Sequence, residues 1–227
     1  ALKIRKRLAK KSSSYNFQPE LELSITYNNL AFVYKKMGKY EEADKNYKKS
    51  IEIRERNEKK NPSVYRPALA LVYSNYSVLL NVNGKSKAAQ EYCQKAYDIR
   101  NELVHTNPSY EVELANTLHE YGIILTDLGL YPQAKAYLEK AIWIREKWES
   151  KDKMTYGLNL AESYCCYGKL LIQMGNFPVN KEYYRKAEQN MKQACDFCNK
   201  YAQENKGYDI DKISEIYQAF AEFLSKE

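Results

Sequence analysis

The chain has 227 residues, only 8 glycines and 6 prolines, and a formal net charge of +7 in which both signs are interleaved. With no sustained two-residue alternation, this composition predicts an all-α protein. No run of eighteen apolar residues occurs, and the basic amino-terminal segment has no apolar secretory core, so a soluble, cytoplasmic, non-secreted protein is expected. Five cysteines, an odd number lying inside predicted helices, speak against a disulfide framework and for a reducing compartment.

In chain order, residues 1–11 read as the second helix of a hairpin whose first helix is missing. Ala1-Leu2-Lys3-Ile4-Arg5 aligns with Ser50-Ile51-Glu52-Ile53-Arg54 and with Ala141-Ile142-Trp143-Ile144-Arg145, which predicts a chain cut from something longer. Lys11-Ser12-Ser13-Ser14-Tyr15-Asn16 is a polar loop, and Pro19 opens the next helix at a tolerated position. Four hairpins are then predicted, over 19–60, 63–106, 110–150 and 155–205, with a capping helix over 209–227. Asn61-Pro62-Ser63 and Asn107-Pro108-Ser109 punctuate the connectors, with serine expected to cap the following helix.

Each hairpin is built around a glycine. Gly38, Gly84, Gly129 and Gly175 stand 46, 45 and 46 residues apart, a spacing that signals a repeat array. Each is expected to be the left-handed residue that ends a helix, a conformation cheap only for glycine and asparagine. Seven residues earlier lie Ala31, Ser77, Gly122 and Gly168, and twelve later lie Ser50, Ala96, Ala141 and Ala187. Small residues facing each other allow two helices to approach closely. Bulky residues between them (Tyr34, Leu80, Leu125 and Leu171, then Tyr47, Cys93, Leu138 and Tyr184) fill the seam.

This spacing resembles that of the tetratricopeptide repeat (TPR) family. Tyr27-Asn28-Asn29-Leu30-Ala31 and Ser50-Ile51-Glu52-Ile53-Arg54-Glu55 look like the long repeats of kinesin light chains. The fourth unit departs from the pattern: counted from Gly175, Asn180 replaces the packing alanine and Asn190-Met191 replaces Ile-Arg. The resemblance implies an α-solenoid, a right-handed superhelix of antiparallel hairpins running through residues 1–227 as one domain. It also implies that the first helix of each pair lines a concave wall.

Mapped on that wall, the candidate partner-binding residues are Asn28, Asn29, Phe32 and Lys35 in the first unit and Ser74, Asn75, Val78 and Asn81 in the second. Asn116, His119 and Ile123 follow in the third, and Glu162 and Lys169 in the fourth. Such a mixed wall suits an extended peptide or a helix, with amides holding backbone and apolar groups forming pockets. The lysine–asparagine–arginine clamp with which some TPR domains grip acidic tails is not reproduced, because Glu120 supplies a carboxylate of the wrong sign. Lys35, Lys36 and Lys39 could still meet an acidic group.

No Gly-rich phosphate loop, His-Glu-x-x-His pair or nucleophile elbow occurs, so no catalysis and no cofactor are expected. A metal site joining Cys165-Cys166 to Cys195 and Cys198 is disfavoured. Pairing about Gly175 sets Cys195 opposite Met154, on the order of 16 Å along the axis from Cys165. The recurring Arg5, Arg54, Arg100 and Arg145 read as structural, favoured near helix carboxyl ends. The basic run Lys3, Arg5, Lys6, Arg7, Lys10, Lys11 and the 22 tyrosines could suit a nucleic acid, but most tyrosines fall on seam positions. The sequence therefore predicts a non-catalytic protein-interaction scaffold. The alternatives are a regulatory arm of a larger enzyme or signalling protein and a nucleic-acid-binding array.

Overall fold

The structure, a computed structural model, describes residues 2–3, 5–6, 19–175, 181–204 and 210–225. Expectations for the loop over 11–16 and for Arg7, Lys10, Lys11, Asn180 and Asp209 fall outside these residues. The chain divides into two compact units, Ala1–Pro108 and Ser109–Glu227.

The first unit holds α1 (Pro19–Lys36), α2 (Tyr40–Glu58), α3 (Pro62–Val82) and α4 (Ser86–Thr106). Within each hairpin the short turn makes the helices antiparallel. The turn is closed by Gly38 and Gly84 at φ of 71° and 72°. At each, the residue after the glycine donates its amide five residues back: Lys39 to the Tyr34 carbonyl at 2.9 Å and Lys85 to Leu80 at 2.8 Å. That bond, with the shorter one from the glycine amide, satisfies carbonyls the helix end would otherwise orphan. Small side chains line the seam as expected, with Ala31, Ala43, Ser50, Ser77, Ala89 and Ala96 fully buried. A tyrosine ladder fills the space between hairpins, Tyr47 to Tyr76 at 5.9 Å and Tyr76 to Tyr92 at 4.8 Å between ring centroids.

In the second unit a 3-10 turn, Pro108–Tyr110, leads into α5 (Glu111–Asp127). Then come α6 (Tyr131–Glu149), α7 (Lys153–Gly175), α8 (Lys181–Glu204) and α9 (Ile210–Leu224). Gly129 repeats the hinge, with φ of 74°. Alanines again sit in the notches, and α9 buries Ile216, Ala219 and Phe223. Helix α9 packs on both α7 and α8, in the position a further first helix would take.

Three expectations are corrected. Serine does not cap α3: Asn61 holds that place, Pro62 is the first helical residue, and Ser63 Oγ donates to Asn61 Oδ1 at 3.0 Å. Gly175 is not a left-handed hinge but the last residue of α7. The register of α8 is therefore shifted. An added Cβ at Gly122 would meet Leu138, whereas one at Gly168 would meet Met191 and the Ala187 carbonyl. Leu138 and Met191 are 53 residues apart, where the glycine spacing implies 46, so α8 is displaced by two turns. Ala187 thus matches Ala134, Ala194 matches Ala141, and Cys198 stands where the recurrent arginine stands in the other hairpins.

This shift also overturns the placement of Cys195 opposite Met154. Cys165, Cys195 and Cys198 belong to one core cluster with Leu160, Ala161 and Ala194. Burial pushes the Cys198 thiol up to about 12, with the neighbouring thiols Cys195 and Cys165 adding to the effect, as buried packing cysteines require. Among the described residues, no three His, Cys, Asp or Glu side chains converge as metal ligands.

Candidate functional site

Of the recurring arginines, Arg54, Arg100 and Arg145 are buried and Arg5 is half-buried, and Arg5, Arg54 and Arg145 each reach the next hairpin. Arg54 is 1% exposed; its Nε donates to Ser24 Oγ at 3.0 Å and its Nη1 to the Ala68 carbonyl. Arg145 sends Nη1 to the Asn159 carbonyl and to Ser163 Oγ, both at 2.5 Å, and Nη2 to Asn116 Oδ1 at 2.9 Å. Arg5 reaches the Glu22 carbonyl at 3.2 Å. Glu22, Ala68 and Asn159 each lie sixteen residues before the glycine of their own unit, so a single contact is repeated. At Arg5, Arg54 and Arg145, a guanidinium pinning the next first helix, and not a cation at a helix end, explains the ladder. Burial lowers the Arg54 guanidinium to about 10, which leaves it charged at neutral pH.

Beside Arg54 and Arg145, sequence reasoning missed a second repeated contact. Tyr73 donates to Glu55 at 2.6 Å and Tyr164 to Glu146 at 2.5 Å. On α9, Tyr217 donates to Asn199 at 2.5 Å, both partners displaced by 53 residues from Tyr164 and Glu146. The signal was present in Ile53-Arg54-Glu55 and Ile144-Arg145-Glu146, where an acid follows the arginine.

The expected wall residues fall into two groups. Asn28, Ser74 and His119, which share one place in their hairpins, are buried, and Asn28 and His119 meet the next first helix instead of facing outward. In the first unit, Asn75 Nδ2 donates to Asn28 Oδ1 at 3.1 Å and Asn28 Nδ2 to Asn29 Oδ1 at 3.2 Å, so three of the expected backbone-holding amides hold one another. Asn29 and Phe32 are exposed, Lys35, Asn75, Val78 and Asn81 half-buried, and Lys35 Nζ lies 5.5 Å from the Phe32 ring centroid. Phe32 and Leu71 expose 45% and 44% of their surface on adjacent α1 and α3.

In the second unit, Asn116, Ile123 and Glu162 are half-buried and Lys169 is exposed. His119 Nδ1 is 3.1 Å from Ser163 Oγ. Ser163 Oγ also accepts from Arg145, so the serine bridges the guanidinium and the imidazole, whose other nitrogen is Nε2. That nitrogen lies 3.9 Å from Glu162 Oε2, and Glu162 in turn pairs with Lys212 of α9 at 3.0 Å. Burial, reinforced by the Arg145 charge, pushes the His119 pKa down to about 3, so the ring is neutral. Burial alone would raise the Glu162 carboxyl, but with the His119 ring neutral the charges of Lys212 and Arg145 hold it below the usual carboxylate range. The arrangement is a tie between α5, α6, α7 and α9 in which both Ser163 and His119 are buried.

Stacked antiparallel helical hairpins, locked by small-residue notches and repeated polar ties, define a helical-repeat protein of the solenoid class. The tetratricopeptide repeat family matches residues 22–102 and again residues 115–147, and the chain belongs to that family. Solved structures agree in fold. BtubC (BKLC) from P. vanneervenii aligns with a TM-score of 0.68 over 99% of this chain and 79% of its own, at 16% identity. The apo form of RapI gives 0.62 over 99% and 75%, at 17% identity. A putative kinesin light chain with nearly identical TPR-like repeats from Podosopora anserina gives 0.51 over 91% and 97%, at 16% identity. No curated relative matches by sequence. Among the described residues, no helix is long and apolar enough to cross a membrane.

Proposed function

We propose that this protein is a non-catalytic interaction scaffold that captures an extended peptide or a helix on its first-helix faces. The observation that carries the reading is the pair of exposed apolar anchors, Phe32 and Leu71, on α1 and α3. They flank amides already ordered by the Asn75–Asn28–Asn29 chain, which lowers the entropy lost when a partner docks. Lys35, Lys36 and Lys39 lie at the end of α1, so the favoured ligand carries an apolar anchor with acidic residues beside it. In the second unit Lys169 offers an exposed cation on α7, while Asn116, His119 and Glu162 serve the internal tie.

Selection from a displayed random-peptide library tests this. The wild-type chain is expected to enrich apolar-acidic sequences, and Phe32→Asp with Leu71→Asp is expected to weaken their binding by about tenfold or more with helicity unchanged. Equal binding by the double variant, or no enrichment by the wild type, would remove the proposal.

A further inference from the structure

Arg54 and Arg145 occupy the same place in their hairpins, yet their Nε atoms are served differently. Arg54 Nε donates to Ser24 Oγ at 3.0 Å. Ser24 lies fourteen residues before Gly38, and the residue fourteen before Gly129 is Ala115, which has no acceptor. Arg145 is 6% exposed, and its Nε has no hydrogen-bond partner within the protein. An unserved N–H on a buried cation is costly, since it forfeits its hydration with nothing in return.

Ala115 and Arg145 both line a small cleft between α5, α6 and α7, together with Val112, Asn116, Ile144 and Asn159. The cleft offers ≈ 10 Å³ to the centre of a water-sized molecule, which is about the space one water needs. We infer that this cleft is a binding site for a single ordered water that takes the place of the Ser24 hydroxyl, accepting from Arg145 Nε. The lining supplies an acceptor for one of the water's own protons in Asn116 Oδ1, which accepts one bond from Arg145 and keeps a second lone pair. The charge of Arg145 is already met by Glu162 and Glu120, so a neutral acceptor fits better than an anion.

The test is to give unit two the hydroxyl that unit one has. Ser24 Oγ donates to the Leu21 carbonyl at 2.7 Å while accepting from Arg54, and a serine at 115 can use the Val112 carbonyl in the same way. Ala115→Ser is expected to raise the melting temperature by about 2–4 °C. Ala115→Val fills the cleft without an acceptor and is expected to lower it. A crystal structure of the wild type should place a water within hydrogen-bond distance of Arg145 Nε, and Ala115→Ser should expel it. A dry cleft in the wild type, or valine stabilising as well as serine, would overturn the assignment. So would a wild-type melting temperature that follows chloride at constant ionic strength and loses that dependence in Ala115→Ser, because the site would then hold an anion.

Discussion

Gly122→Ala is expected to destabilise the second unit by about 1–3 kcal/mol, although alanine is the better helix former by about 1 kcal/mol. The reason is contact. A Cβ at 122 would stand 2.5 Å from Leu138 Cγ and 2.8 Å from its Cδ2. Leu138 is only 1% exposed and cannot swing aside. Gly122→Leu adds three more carbons to the same notch and is expected to abolish cooperative unfolding of this unit, or to lower its midpoint by more than 10 °C, by the conversion of about 2–4 °C per kcal/mol for a chain of this size. Gly38 provides the contrast, because its φ is +71° and nothing lies within 4 Å of an added Cβ. There Gly38→Ala carries only the left-handed strain, about 1–2 kcal/mol, and no clash. Thermal melts of the three variants should rank Gly122→Leu far below Gly122→Ala. A neutral or stabilising Gly122→Ala would mean that the α5–α6 seam is looser than the notch requires.

Why the first three hinges were legible and the fourth was not follows from the same chemistry. Gly38, Gly84 and Gly129 hold a conformation that only glycine takes cheaply, and the bonds around each are the same, so spacing and structure agree. Gly175 keeps the spacing but does another job: it is the helical residue against which Tyr183 and Tyr184 pack, within 3.2 Å of an added Cβ. Counting from it misplaced α8 by two turns and, with it, Cys195. A sounder ruler lay in the notches themselves. Ala43 and Ser50, Ala89 and Ala96, Ala134 and Ala141, and Ala187 and Ala194 all stand seven apart, whatever the length of the preceding turn. All are fully buried.

The wall was legible only in part, because a helix face read from period alone cannot distinguish a residue facing solvent from one wedged against the next first helix. Phe32 fell on the first side of that line, Asn28 and His119 on the second. Partner polar groups decide the difference. Asn75 accounts for Asn28, and Ser163 with Glu162 accounts for His119.

His119 gives the second large effect, and it is one of pH. The unfolded imidazole titrates near its ordinary 6.5, whereas the folded one, enclosed and set beside the Arg145 charge, titrates at about 3. As pH falls below 6.5 the unfolded chain takes up a proton that the folded chain refuses, so stability is full above that value and is lost progressively down to about 3. At about pH 4.5 the loss amounts to roughly 2–3 kcal/mol, which is on the order of 5–10 °C in melting temperature. His119→Gln keeps an acceptor for the Ser163 hydroxyl but cannot protonate in this range. The wild type should therefore be the more stable protein at pH 7.5, or nearly equal to the variant, and fall below it at 4.5. Carboxylates away from His119, such as Glu139, titrate in both proteins and largely cancel in the difference. Parallel curves for the two proteins across that interval would show that the ring either admits water or is protonated in the folded state. The tie of Arg145, Ser163 and Glu162 around a neutral imidazole would then have to be redrawn.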